Sequence, residues 1–194
     1  MKELDLRAQQ CPYPVVQTRK ELLNNPEQPL TVLVGDETAR DNVTRLATGM
    51  GFGIETATID GGYSLALTRN GETAKEQESP AVTGKTIALI DSDCLGRGDD
   101  ELGHILMKNY LITLTEMEQV PDKMLLLNAG VKLACAGSDA IEALEKIACM
   151  GVDIASCGLC LEFFGLKEKL QIGRTTNMME VAESLQTAGR IIRL

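Results

Sequence analysis

Tryptophan is absent and aromatic residues make up only 3% of the chain. Its cores must therefore be aliphatic, and an aromatic platform for stacking single-stranded bases is not expected. Positive charge is also scarce: 19 Lys and Arg face 28 Asp and Glu, a formal net charge of −9 at pH 7. Such a chain repels phosphate backbones at long range, so no direct nucleic-acid partner is expected. No apolar run approaches the length of a membrane span, so no membrane partner is expected either. The opening Met1-Lys2-Glu3-Leu4-Asp5-Leu6 puts acids where a secretory signal needs an apolar segment, which predicts a cytoplasmic protein. Histidine occurs once, as His104, so a Cys-His nucleophilic pair would have to use that residue.

Six cysteines are present: Cys11, Cys94, Cys135, Cys149, Cys157 and Cys160. In a cytosolic chain they point to redox, metal or transfer chemistry, or to small buried hydrophobes. Hydrophobic residues reach 44% and charged residues 24%, a globular composition, and 194 residues suffice for one ordinary domain or two small ones.

The composition changes at residues 72–84, where Glu72 to Pro80 is polar and lacks apolar periodicity. This predicts a linker between a domain at 1–71 and a second at 85–194. In the first, strands at Leu4–Leu6 and Leu30–Val34 alternate with helical patterns at Val15–Leu23 and Asp36–Met50. Alternation at Gly53–Ile59 and Tyr63–Thr68 around Asp60-Gly61-Gly62 reads as a hairpin. The order β-α-β-α-β-β predicts a four-stranded mixed sheet with two helices on one face.

In the second domain, strands at Thr86–Ile90, Lys123–Asn128, Val152–Ala155 and Arg190–Ile192 alternate with helices at Glu101–Met117, Asp139–Met150, near Glu162–Leu170, and at Asn177–Ala188. Such alternation predicts an α/β fold with a parallel sheet.

Thr83-Gly84-Lys85-Thr86 is not a phosphate-binding loop, because the motif's first glycine would fall on Ser79 and the segment precedes a strand. Gly96-Arg97-Gly98 follows a strand, but Glu101 stands where a dinucleotide fingerprint needs its third glycine. A tight turn entering a helix is the simpler reading. Cys157 and Cys160 form one pair without a second pair or a histidine cluster, so no metal site and no cofactor are expected.

Cys11 lies between a strand and a helix, and Pro12 suits a first helical turn. That would place Cys11 at the N-cap, where free N–H groups and the helix dipole favour thiolate. Arg7, Arg19 and Lys20 are close in sequence and add positive charge, while a merely packed cysteine is the alternative. Cys157-Gly158-Leu159-Cys160 follows the third strand, at the sheet edge where ligands of parallel α/β proteins bind. Its spacing lets two sulfurs meet across one helical turn. Cys94 and Cys135 follow the first two strands and are open to either a functional or a packing role. Cys149 reads as core, and His104 as a satisfied or partly exposed histidine.

Leu4-Asp5-Leu6-Arg7, Cys11-Pro12-Tyr13-Pro14-Val15 and Thr18-Arg19-Lys20 resemble the TusA/SirA-like sulfurtransferase family over about the first 70 residues. The resemblance implies a β-α-β-α-β-β two-layer sandwich and a persulfide-carrying role for Cys11, with Pro12 and Pro14 shaping its turn. The second half resembles the DsrE/F-like family through Gly96-Arg97-Gly98-Asp99, Glu101-Leu102-Gly103, Asn128-Ala129-Gly130-Val131-Lys132-Leu133, Cys157-Gly158-Leu159-Cys160-Leu161 and Thr176-Asn177-Met178. That implies a Rossmann-like parallel sheet, homo-oligomers through this domain, and a family cysteine at Cys157. Phe163-Phe164 stand where a basic pair often precedes the glycine matched by Gly165.

The two-domain arrangement is similar to that of sulfurtransferase-like selenium-metabolism proteins. The expected function is a cysteine-based persulfide or perselenide carrier or transferase that exchanges with sulfur or selenium donor and acceptor proteins. Cys11, Cys157 and Cys160 would be its working residues, with Cys94, Gly96 and Gly98 in support. A dithiol oxidoreductase using Cys157 and Cys160, or a non-catalytic adaptor, are the alternatives.

Overall fold

The computed structural model describes residues 2–10, 12–69 and 84–194. The chain divides into two compact units, Met1–Glu78 and Ser79–Leu194. Most of the expected linker, 72–83, lies outside the described residues.

In the first unit β1 (Lys2–Leu6), α1 (Tyr13–Asn24), β2 (Leu30–Val34), α2 (Glu37–Gly49), β3 (Phe52–Ile59) and β4 (Gly62–Arg69) follow the β-α-β-α-β-β order. The sheet order is β1-β2-β4-β3, with β1 and β2 parallel and the other pairs antiparallel. Alternation along β2 buries Leu30, Val32 and Val34, and the same face of β4 buries Leu65 and Leu67. Leu22 of α1 and Val43 and Ala47 of α2 close over that face, giving a two-layer sandwich. Asp36 starts α2 by accepting the Ala39 N–H at 2.8 Å. At the hairpin, Gly61 has φ 77°, where a side chain would be strained.

The second unit is a five-stranded parallel sheet of order β8-β7-β6-β5-β9. Its elements are β5 (Thr86–Ile90), α3 (Asp100–Leu114), β6 (Lys123–Leu126), a 3-10 helix (Asn128–Ala134), α4 (Ile141–Cys149), β7 (Asp153–Cys157), α5 (Gly158–Phe163), a short 3-10 turn (Lys167–Lys169), β8 (Arg174–Thr176), α6 (Met178–Thr187) and β9 (Arg190–Arg193). One face carries Ala88, Ile90, Met124, Leu126 and Ile154 against Met107 and Leu111 of α3 and Leu144 and Ile147 of α4. The other carries Ile87, Leu125 and Ala155 against Val181 of α6. Helices on both faces of a parallel sheet make this the Rossmann-like α/β arrangement.

Two elements depart from the expected pattern. The helix expected near Glu162–Leu170 is shorter and earlier. It spans Gly158–Phe163 and is stopped by Gly165, whose φ is 64°, with Gly165 N–H bonded to the Glu162 carbonyl and Leu166 N–H to the Leu161 carbonyl at 2.8 Å. That double bond pattern is the Schellman stop, and Leu161 and Leu166 share the same core. The strand Arg174–Thr176 was not expected at all; it pairs with Ala155–Cys157 at the sheet edge.

Candidate functional site

The carboxyl ends of β5, β6 and β7 gather the chemistry-bearing residues of the second unit. Cys157 is the last residue of β7 and the N-cap of α5, and it is buried. Gly158 turns the chain there: a Cβ at that position would sit 2.9 Å from Thr175 Cγ2, so a side chain would push β8 away. Cys160, one turn into α5, is half-buried, and its Sγ accepts the Asn128 N–H at 3.2 Å. Asn128 reaches that position in a left-handed conformation, φ 44°, just after β6. Burial raises the Cys160 thiol above its ordinary value, the neighbouring Cys157 raises it further, and the Asn128 N–H opposes both. Both thiols are free. The Cys-x-x-Cys spacing therefore brings Cys157 and Cys160 together, with the more accessible sulfur at Cys160. Beside them the Ser156 hydroxyl is fully buried and has no hydrogen-bond partner among the described residues.

Cys94 lies in the loop between β5 and α3. Its N–H is held by Ser92 Oγ at 3.0 Å. Its sulfur lies 3.3 Å from His104 Nδ1 and 3.7 Å from Nε2. Gly103 allows this approach, because a Cβ there would lie 2.8 Å from the Cys94 Cβ. His104 Nε2 also lies 3.5 Å from Asp93 Oδ2, which the Lys132 ammonium holds at 3.0 Å. Burial alone would raise the Asp93 carboxyl, but Lys132 brings it below its ordinary range. Burial raises the Cys94 thiol, with the Asp93 and Asp100 charges adding to it. The Asp100 carbonyl raises His104. The sequence predicts a satisfied or partly exposed histidine at His104; its proximity to Cys94 arises because the loop after β5 folds back onto the start of α3.

Gly96 and Gly98 have φ 89° and 141° and open space around them. They form the turn that enters α3, whose N-cap Asp99 accepts the Leu102 N–H at 2.9 Å. The remaining cysteines stand apart. Cys135 is buried and its thiol reaches the Val131 carbonyl at 3.1 Å, a packing role. Cys149 was expected in the core but is exposed, because it closes α4 on the helix side opposite Leu144 and Ile147.

Cys11 lies outside the described residues. Its flanks correct one expectation. The N-cap of α1 is Pro12, not Cys11, and the helix begins at Tyr13 with Pro14 in its first turn. The Pro12 carbonyl accepts the Val15 and Val16 N–H groups at 3.1 Å. Pro12 and Pro14 are both buried, while Arg19 is half-buried and Lys20 exposed on the same helix. Arg7 is engaged by Asp5, with Nη2 at 2.6 Å from Oδ2, which lowers the Asp5 carboxyl to about 2.

Residues 2–69 match the family described as Sulfurtransferase TusA. The first unit is a TusA sulfurtransferase domain. The match spans Cys11-Pro12-Tyr13-Pro14 and supports a sulfur-carrier function for the TusA domain. A comparison with curated proteins found no match. Among solved structures, the chain is similar to a SirA-like protein from Desulfitobacterium hafniense at 31% identity, over 36% of this chain and 100% of that one, with a TM-score of 0.34. It is also similar to the ychN protein from E. coli at 18% identity, over 57% of this chain and 99% of that one, with a TM-score of 0.45. A protein of unknown function from Methanobacterium thermoautotrophicum aligns at 16% identity, over 56% and 97% of the two chains, with a TM-score of 0.41. No helix among the described residues is long and apolar enough to cross a membrane.

Proposed function

We propose that the chain is a persulfide or perselenide carrier of the YedF type, a TusA/SirA-like domain followed by a DsrE/F-like one, working in cytoplasmic selenium metabolism. The observation that carries the reading is the TusA match across residues 2–69, with Cys11-Pro12-Tyr13-Pro14 inside it. In the first step the Cys11 thiolate attacks the outer chalcogen of a donor persulfide or perselenide. The donor thiolate leaves, a Cys11 persulfide or perselenide forms, and no net redox change occurs. An acceptor thiolate then takes the outer atom by the same displacement.

Cys157 is the candidate acceptor within the second unit and Cys160 its partner. Cys160, the more accessible of the two, lies on α5. Leu159 and Phe163 on that helix are exposed at 74% and 82%, an apolar rim suited to a docking protein or a second copy of the chain. The contact between Cys157 and Cys160 favours a second reading, a dithiol oxidoreductase, in which the pair cycles between dithiol and disulfide.

Loading the reduced full-length chain with a persulfide donor and mapping peptides separates the two readings. The carrier reading expects added chalcogen first on Cys11, then on Cys157. A Cys157–Cys160 disulfide on mild oxidation, with no added mass on any cysteine, would replace it by the oxidoreductase reading.

A further inference from the structure

His104, the single histidine of the chain, stands beside a cysteine. Cys94 Sγ lies 3.3 Å from His104 Nδ1 and 3.7 Å from Nε2. Each ring nitrogen also meets an acceptor of its own. The Asp100 carbonyl lies 2.6 Å from Nδ1, and Asp93 Oδ2 lies 3.5 Å from Nε2. A carbonyl only accepts, so Nδ1 carries a proton and the neutral ring keeps its lone pair on Nε2. Nε2 is therefore the base. Once it takes a proton, Asp93 faces the new N–H group, and Nδ1, also protonated, is the ring nitrogen nearer the sulfur. Acceptors at both nitrogens favour the doubly protonated ring.

The sulfur needs such a base. Burial raises the Cys94 thiol, the Asp93 and Asp100 charges add to it, and Lys132 opposes them. Cys94 is thus held as a thiol, which reaches the Asp100 carbonyl at 3.6 Å. His104 is raised chiefly by the Asp100 carbonyl, with the Asp93 charge adding to it, so the ring is a readier proton acceptor than a free histidine. The Lys132 ammonium lies 3.0 Å from Asp93 Oδ2 and already balances that carboxylate. Proton transfer from Cys94 to His104 then creates one further pair, thiolate and imidazolium, whose charges also cancel.

We propose that Cys94 is a nucleophile served by His104 as general base, with Asp93 and the Asp100 carbonyl positioning the ring, and that it takes the outer sulfur of a small zwitterionic persulfide of the amino-acid class. The Cys94 proton passes to His104 Nε2 and the thiolate attacks the outer sulfur. The sulfur–sulfur bond of the donor breaks, and the leaving thiolate takes the proton from Nε2. A Cys94 persulfide and a free thiol result, with no net redox change. Asp93 and His104 also belong to the wall of a cavity of about 230 Å³, which has room for an amino acid. The same wall carries Lys108, Lys132 and Asp139, with Lys108 and Asp139 paired at 3.0 Å. Two ammonium groups and two carboxylates complement a molecule that carries one charge of each sign. The sulfur chemistry of this step rests on the carrier reading. The proton relay does not, and neither uses Cys11, Cys157 or Cys160.

The relay is tested by alkylating the reduced full-length chain with iodoacetamide and following the Cys94 peptide by mass spectrometry. His104→Ala and His104→Gln should each slow Cys94 at pH 7 by about tenfold or more. Imidazole in the buffer should restore the His104→Ala rate, and the deficit should narrow at alkaline pH, where hydroxide takes the thiol proton. The ring is exposed, and far-UV circular dichroism reports whether the fold is kept. The substrate is tested by incubation with cysteine persulfide. One sulfur atom should appear on the Cys94 peptide, in Cys11→Ser as well, and more slowly from glutathione persulfide, whose tripeptide exceeds the cavity. A Cys94 rate indifferent to His104, or a deficit equal at every pH and not rescued by imidazole, would overturn the relay. No sulfur on Cys94, its loss in Cys11→Ser, or equal loading by the two donors would overturn the substrate. Failure of the carrier reading shows separately, as absence of sulfur from the Cys11 peptide.

Discussion

The least satisfied side chain near Cys157 is Ser156, whose hydroxyl is fully buried without a partner among the described residues. A buried hydroxyl without a hydrogen bond costs about 1–3 kcal/mol. Ser156→Ala removes that cost and leaves a gap of one oxygen. We expect it to stabilise the chain by about 1 kcal/mol in chemical denaturation; a loss of similar size would mean that the hydroxyl is satisfied. At this scale the sequence was informative where spacing alone decides contact. Cys157 and Cys160 meet because one helical turn separates them. The Cys94–His104 contact was not legible, since it needs the ten-residue return of a loop onto a helix and the space left by Gly103. In hindsight, a glycine beside the only histidine in a helical pattern was the available signal. Cys149 departs from the core position that its place in a helical pattern predicts, because it closes α4 and the last turn points it outward.

Helix α6 is weakly secured by apolar contact, with only Val181 fully buried. Its first turn is instead tied to the sheet by charge. Glu180 Oε1 accepts from Lys123 Nζ at 3.0 Å, and Glu180 Oε2 accepts from Arg174 Nη1 at 2.9 Å. Arg174 also donates to Asp153 at 2.8 and 3.0 Å. Hydrogen bonds from Arg174, then from Thr176 and Lys123, hold the Glu180 carboxyl well below its ordinary value of 4.5. A depressed carboxyl stabilises the fold above its unfolded value, and that contribution is lost as pH falls through the folded value. Glu180→Gln should therefore cost about 2 kcal/mol at neutral pH. The gap from the unmodified chain should close as denaturation is repeated below about pH 4. A gap independent of pH would show that packing, not charge, is what the substitution removed. Strand Arg174–Thr176, which anchors this network, escaped sequence reading because three residues show no alternation. The early stop of α5 escaped because Gly165 lies within a run of residues that suits helix on either side.

At the scale of the whole molecule, the α/β class of each unit was readable from the order of elements, because hydrophobic periodicity switches between two and 3.6 residues at each boundary. Sequence could also point to Cys11 through the turn formed by Pro12 and Pro14, although it placed the helix start one residue early. Proline at both cap and first turn, rather than cysteine at the cap, fixes the chain direction where the thiol precedes the helix. The central claim is that Cys11 accepts a transferable chalcogen. Its most direct test is the intact mass of the reduced full-length chain after incubation with glutathione persulfide, compared with Cys11→Ser under the same conditions. A gain of one sulfur atom that maps to the Cys11 peptide, is reversed by a thiol reductant and is absent from Cys11→Ser is the expected result. No gain, or an equal gain in Cys11→Ser, would contradict it.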